Sequence, residues 1–202
     1  MAPRKYNLGK RAQSVDETRR RIVEAIVALH REQGVADTTH EDIARRADVA
    51  VATVYRHFPT VGDAVPACGA HILELTQPPT PADVLAAASP EERLARTLEA
   101  IFSFWGRIAP WQEKALCDAA KVPALAESVR QGNEYHRAIV TMALGELSGG
   151  DDDVRMATAL SGFYAWKAFH DQGLEGQAAE IVTKALLGRL TGAGAREKKE
   201  ER

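Results

Sequence analysis

Apolar residues recur three and four positions apart along most of this chain, the spacing that aligns side chains on one face of an α-helix. In the stretch DETRRRIVEAIVALHREQGV, which begins at Asp16, Ile22, Ala25, Ile26 and Leu29 keep that spacing. Ser14 or Asp16 is placed to cap the start of this helix, and Gly34 marks its end. Thr39-His40-Glu41-Asp42 has the form of a capped helix start, with Asp where Glu or Gln is usual. Ile43, Ala44 and Ala47 give the short helix that follows a small apolar face; Val49 falls in a turn. Ala52, Val54 and Phe58 continue the apolar set on a third helix. Pro59 ends it, because the residue before a proline resists helical geometry.

Further helices are predicted over 62–75, 91–108, 111–121, 124–147, 152–172 and 175–190, with Pro66 tolerable only in the first turn of its helix. The segment 77–90 holds four of the nine prolines and reads as a linker or surface crossing. No period-2 strand stands out. The expected fold class is all-α: an N-terminal three-helix domain and a longer C-terminal helical domain. The expected divisions are a basic arm over 1–14, the three-helix domain over 15–60, the second helical domain over 61–191, and a disordered charged tail over 192–202.

Composition changes this picture little. Apolar residues make up 45% and charged residues 27% of the 202, an ordinary balance for a water-soluble globular chain. No apolar run approaches the roughly 20 residues that cross a bilayer. MAPRKYNLGKR is basic but has no apolar core behind it, so it is not read as a secretory signal. Cys68 and Cys117 are then expected as reduced thiols in a cytoplasmic protein. The net charge of −2 conceals an asymmetry: residues 1–60 hold 11 Lys/Arg against 8 Asp/Glu, and the remainder 15 against 20. A basic head on an acidic body suits a head that meets a polyanion, though a solvated basic tail reads the same way on charge alone.

Two short helices joined by a tight turn and braced by a third form a helix-turn-helix, whose second helix enters the DNA major groove. If Ile43, Ala47, Val49, Val54 and Phe58 pack against Ile22, Ile26 and Leu29, then Thr53, Tyr55, Arg56 and His57 point outward. Their hydroxyl, guanidinium and imidazole groups donate hydrogen bonds to phosphate oxygens. Thr39 and His40 sit at a helix start, where backbone N–H groups and a partial positive charge favour an anion.

The stretch TRRRIVEAIVALHREQGVADTTHEDIARRADVAVATVYRHFPT resembles the TetR family of bacterial transcriptional regulators over about the first third of the chain. The resemblance rests on T-R-x-x-I, G-x-x-x-T-T-x-x-D-I-A and A-T-V-Y-R-H-F-P. It implies DNA contacts at Thr53, Tyr55 and His57, and at Thr39 at the start of the second helix. Three departures stand out. Asp48 occupies a turn position where the family often has Gly. Ala50 and Val51 replace a capping Ser and a polar residue, so Val51 is left to pack on a thymine methyl. Val61 replaces a common phosphate-binding Lys; Arg4, Lys5, Lys10 and Arg11 of the arm are candidates to compensate.

The family further implies an N-terminal helix-turn-helix DNA-binding domain over 15–60 and a C-terminal helical ligand-binding and dimerisation domain over 61–191, in a homodimeric repressor that binds a pseudo-palindromic operator of double-stranded DNA and responds to a small-molecule effector. Small residues in 152–172 and 175–190 suit these segments to a four-helix dimer interface. Candidate ligand-binding residues are Phe102, Trp105, Trp111, Cys117, Tyr135, His136, Phe163 and Trp166, set against the default that aromatic residues are core. Cys68 and His71 stand three apart, but two ligands make no metal site, so no metal or cofactor is expected. No nucleophile–base constellation, phosphate loop or framed carboxylate pair argues for an enzyme.

Overall fold

The computed structural model describes the backbone of residues 8–200 and the side chains of 15–191. The described residues form ten α-helices and no strand: α1 (Leu8–Gln33), α2 (His40–Ala47), α3 (Val51–His57), α4 (Val61–Thr76), α5 (Pro81–Leu85), α6 (Pro90–Asp118), α7 (Pro123–Leu144), α8 (Asp151–Leu160), α9 (Phe163–Asp171) and α10 (Glu175–Glu200). A 3-10 turn over Gly145–Leu147 follows α7. The chain divides into two compact units. The head comprises the chain up to Leu75 together with Pro110–Val129; the body comprises Thr76–Ala109 and the chain from Arg130 onward. α6 and α7 therefore each contribute to both units.

One local device starts three of the helices. At α2, α4 and α5 a Thr–x–x–Asp sequence closes a reciprocal cap. The Thr hydroxyl accepts the Asp N–H, and the Asp carboxylate accepts the Thr N–H, in the pairs Thr39–Asp42, Thr60–Asp63 and Thr80–Asp83. The Thr hydroxyl, which also donates to the carboxylate, and then the Thr N–H hold the carboxyls of Asp42 and Asp83 below the usual carboxylate range. The third cap, with Pro81 at the first helical position, puts the short helix α5 into the segment expected to be a linker.

Other boundaries also differ from expectation. α1 begins at Leu8, so Ser14 and Asp16 lie inside it and neither caps its start. The segments 91–108 and 111–121 are one helix, α6, which runs through Pro110. Proline there removes the N–H that would bond the Gly106 carbonyl, at a residue that is exposed. Conversely, 152–172 is two helices, α8 and α9, because Ser161 and Gly162 leave helical geometry and Gly162 is extended. α10 continues to Glu200 through a stretch rich in Ala, Arg, Glu and Lys, all strong helix formers, where a disordered tail was expected.

The head's core is aliphatic: Ile22, Ile26, Ile43, Val54 and Ala64 are 1% exposed or less. Val35, Val65 and Leu125 form an adjoining cluster with Val61, Ala115, Val122 and Ala124 packed on it. Ala52, expected in the apolar set, is instead exposed, and Val49 is half-buried. The body's core joins aliphatic residues such as Leu94, Leu98, Ile139 and Leu144 to a set of rings.

Candidate nucleic-acid interface

The face is built by helices too short to stand alone. α2 has eight residues and α3 seven, well below the roughly 12–15 that an isolated helix needs. Packing and end contacts must therefore hold them. α2 is closed at its start by the Thr39–Asp42 cap. At its end Asp48 takes the left-handed conformation, φ 51°, the geometry for which Gly is usual and which Asp tolerates. The Arg21 guanidinium on α1 donates to the carbonyls of Ala47 and Asp48, satisfying two acceptors in the tight turn. The start of α3 has no such help: Ala50 is extended, as an N-cap must be, but makes no side-chain cap bond.

The connection from α1 to α2 is pinned from α6. Gly34 ends α1 at φ +90°, and the buried Asp118 carboxylate accepts the N–H groups of Val35 (2.8 Å) and Ala36 (3.0 Å). A Cβ at Gly34 would lie 2.5 Å from that carboxylate oxygen, so this position needs Gly for space as well as for φ.

On α3, Val54 is fully buried and Phe58 just beyond the helix is nearly so. At about 100° per residue, Ala52 and Arg56 point farthest from this core, Thr53 and Tyr55 flank them, and Val51 and His57 lie next to Val54. Exposure follows that order: Ala52, Tyr55 and Arg56 are exposed, while Val51, Thr53 and His57 are half-buried. The Tyr55 ring stacks on His40, with centroids 4.0 Å apart and planes 7° apart. His40 is buried and its Nε2 lies 2.8 Å from the Phe58 carbonyl oxygen; a carbonyl only accepts, so Nε2 carries the proton. His40 is thus turned inward, away from the anion-binding position expected for it, and it braces Tyr55. Thr39 is exposed, with its hydroxyl engaged by Asp42.

His57 is more enclosed than expected. Its Nε2 is covered and has no hydrogen-bond partner. Burial first, then the guanidiniums of Arg56 and Arg19, push its pKa below the usual value, so the ring stays neutral near pH 7. Arg4 and Lys5 lie outside the described residues, as do the side chains of Lys10 and Arg11 on the first turn of α1.

The structure divides the expected ligand residues. In the body, Trp105 lies 5.6 Å from both His136 and Phe163, and Phe163 stacks on Trp166 at 5.5 Å. Ser161, fully buried at the break between α8 and α9, ties this group together. Its carbonyl accepts the Trp105 Nε1–H (2.8 Å), and its hydroxyl donates to the Ala157 carbonyl and accepts from His136 Nε2 (3.0 Å). Burial lowers the His136 pKa to about 4, against the raising effect of its Ser161 contact. Phe102 pairs instead with Phe169. Tyr135 is exposed and donates its hydroxyl to the Pro79 carbonyl. Trp111 and Cys117 do not join the group, because they belong to the head: Trp111 donates to the Val27 carbonyl, and Cys117 is exposed. Cys68 is buried against His30, with Sγ 3.3 Å from Nδ1, and not set with His71. No cluster of three or more metal-binding side chains occurs among the described residues.

Sequence reading missed the roles of Arg21 and of Asp118, the latter a candidate polar group for the ligand pocket; they hold the two turns of the head. Their partners are backbone atoms 26–27 and 82–83 residues away, and a backbone partner leaves no side-chain signature in the sequence.

Within the head, α1, α2 and the short, outward-facing α3 form a helix-turn-helix. Residues 22–60, which span it, match the model of the bacterial regulatory proteins of the tetR family. The chain is 44% identical over 69 residues to the HTH-type transcriptional regulator SrpR of Pseudomonas putida. That match spans 33% of this chain and only 32% of the SrpR chain. A transcriptional regulator from Rhodococcus sp. Rha1 shares the fold at a TM-score of 0.66 and 18% identity, over 87% of this chain and 96% of its own. The multidrug binding protein EbrR, complexed with imidazole, does so at 0.59 and 22%, over 94% and 97%. The family is one of regulators, not enzymes. Among the described residues no helix is long and apolar enough to cross a membrane.

Proposed function

We propose that this chain is a cytoplasmic, ligand-responsive DNA-binding regulator of the TetR type, acting as a repressor. One observation carries the reading: Tyr55 and Arg56 are exposed beside Thr53 on a short helix whose opposite side, Val54 and Phe58, is buried. A helix held from behind in this way offers its polar side to the major groove, with Thr39 contacting the backbone and Val51 a thymine methyl. The basic arm with Arg4, Lys5, Lys10 and Arg11 adds phosphate contacts.

Two heads on one pseudo-palindromic operator require a homodimer. The apolar side chains exposed around α8–α10 support it: Leu160, Tyr164 (72% exposed) and Ile181, with Ala185 and Gly188 on the same side of α10. The effector site is assigned to the body around Trp105, His136, Phe163 and Trp166, a ring set suited to a flat apolar ligand with a hydrogen-bonding edge. EbrR, of similar fold, is named as a multidrug binding protein.

The test is a footprint of the purified protein on the DNA upstream of its own gene at two salt concentrations. A protected, two-fold site that weakens with salt is expected. Tyr55→Ala should abolish protection while folding and dimerisation stay intact; a Tyr55→Ala protein that protects as well as wild type would falsify the assignment.

A further inference from the structure

The arginines of the head are not equivalent. Arg20, Arg21, Arg45 and Arg46 each have a carboxylate partner, in Glu24, Asp48, Asp42 and Glu32. Arg31 lies over the Trp111 ring. Arg19, Arg31 and Arg56 are the head's described arginines with neither a carboxylate partner nor a hydrogen bond within the chain, and of these Arg19 and Arg56 are the two whose guanidiniums act on His57. Arg19 is held in place nonetheless. Its guanidinium carbon sits 5.2 Å from the centre of the Phe58 ring, at the end of α3, and the side chain remains exposed. The neutral imidazole of His57 adds no charge there, so the positive potential at this end of the face comes from the two guanidiniums.

We propose that Arg19, on α1 and outside the helix-turn-helix motif itself, is a DNA-phosphate contact that works with Arg56 as a two-guanidinium cradle at the C-terminal end of α3. The inference rests on the DNA-binding reading above. An unpaired, planar guanidinium presents several N–H donors to one phosphate, and seating it on an aromatic face reduces the rotamer freedom it would lose on binding. Arg20, next in sequence, is turned to Glu24 and takes no part.

The experiment uses the full chain, a duplex from its own upstream region, and a random-sequence duplex of equal length. Affinity is measured from 50 to 200 mM salt for wild type, Arg19→Gln, Arg19→Lys, Arg20→Gln and Tyr55→Ala. Arg19→Gln should weaken both duplexes equally, by roughly tenfold at low salt, and lower the salt slope by about 0.9 for each head engaged. Arg19→Lys should restore the slope, and Arg20→Gln should match wild type. An unchanged slope in Arg19→Gln, with Tyr55→Ala still impaired, overturns the cradle and leaves the DNA-binding reading standing. Equal loss in Arg19→Gln and Arg19→Lys, with a lowered melting midpoint, assigns Arg19 to packing on Phe58 and also overturns it. Wild-type protein that binds neither duplex in a salt-dependent way removes the DNA-binding reading and this inference with it.

Discussion

One histidine in the head and one in the body have their pKa lowered to about 4 by burial, and the two units treat them differently. In the body, His136 Nε2 finds the Ser161 hydroxyl, and the ring sits edge-on to Trp105. In the head, His30 Nδ1 meets only the Cys68 sulfur, and Nε2 is buried with no partner. Burial lowers the His30 pKa to about 4, with the Asp118 carboxylate acting in the opposite sense, and drives the Cys68 thiol up to about 12. The contrast extends to how each unit is held. The body relies on its set of rings; in the head, the turns on either side of the short helix α2 are tied by charged groups, Asp118 at one and Arg21 at the other. Where helices are short, the contacts at their ends decide whether the displayed face keeps its shape.

The sharpest test of this contrast is to remove one anchor from each unit. Trp166→Ala in the body should lose about 3–5 kcal/mol, and Ile26→Ala in the head about 2–5 kcal/mol, in chemical denaturation. A Trp166→Ala loss below about 1 kcal/mol would remove the ring group as the body's anchor.

Acid should act next. Both histidines have folded pKa values near 4, below the unfolded value near 6.5. The unfolded chain therefore binds protons first, and stability, full above about pH 6.5, falls as pH drops toward 4. For His30 the full effect is up to about 3 kcal/mol, to be followed by denaturation at stepped pH. His30→Gln should flatten that part of the slope, and an unaltered slope would break the comparison.

A smaller loss is expected at the clamp. Asp118→Asn leaves two backbone N–H groups with a weaker acceptor and should lose about 1–3 kcal/mol, with looser operator binding but an unchanged salt slope. The smallest effect is a gain: Ala50→Ser supplies the missing cap of α3 and should add about 1 kcal/mol, read as a higher melting midpoint. If Ala50→Ser gave no gain, packing of Val54 and Phe58 alone would be holding α3.

Much of the head was legible because its signals are local. The Thr39–Asp42 cap, Gly34 as a helix stop and Asp48 as a turn residue involve atoms within a few positions of one another, as did the turn that shows Tyr55 and Arg56. The same Thr–x–x–Asp form at Thr60 and Thr80 was equally readable and would have revealed α5 within the proline-rich segment. The body was less legible. A ring of apolar residues reads alike whether it lines a site or fills a core, and Trp111 differs from Trp105 only in which unit it joins.

By itself, then, the order of residues determined that the chain is helical, where its short reading helix begins and ends, and which side of that helix is apolar, because helix periodicity and caps act over one or two turns. Tertiary structure alone decided that His40 turns inward under Tyr55, that Asp118 and Arg21 hold the two turns, and that α6 passes through Pro110 while 152–172 breaks at Ser161. His40, Asp118, Arg21 and Ser161 each meet an atom brought close from another element, and sequence spacing carries no measure of that proximity.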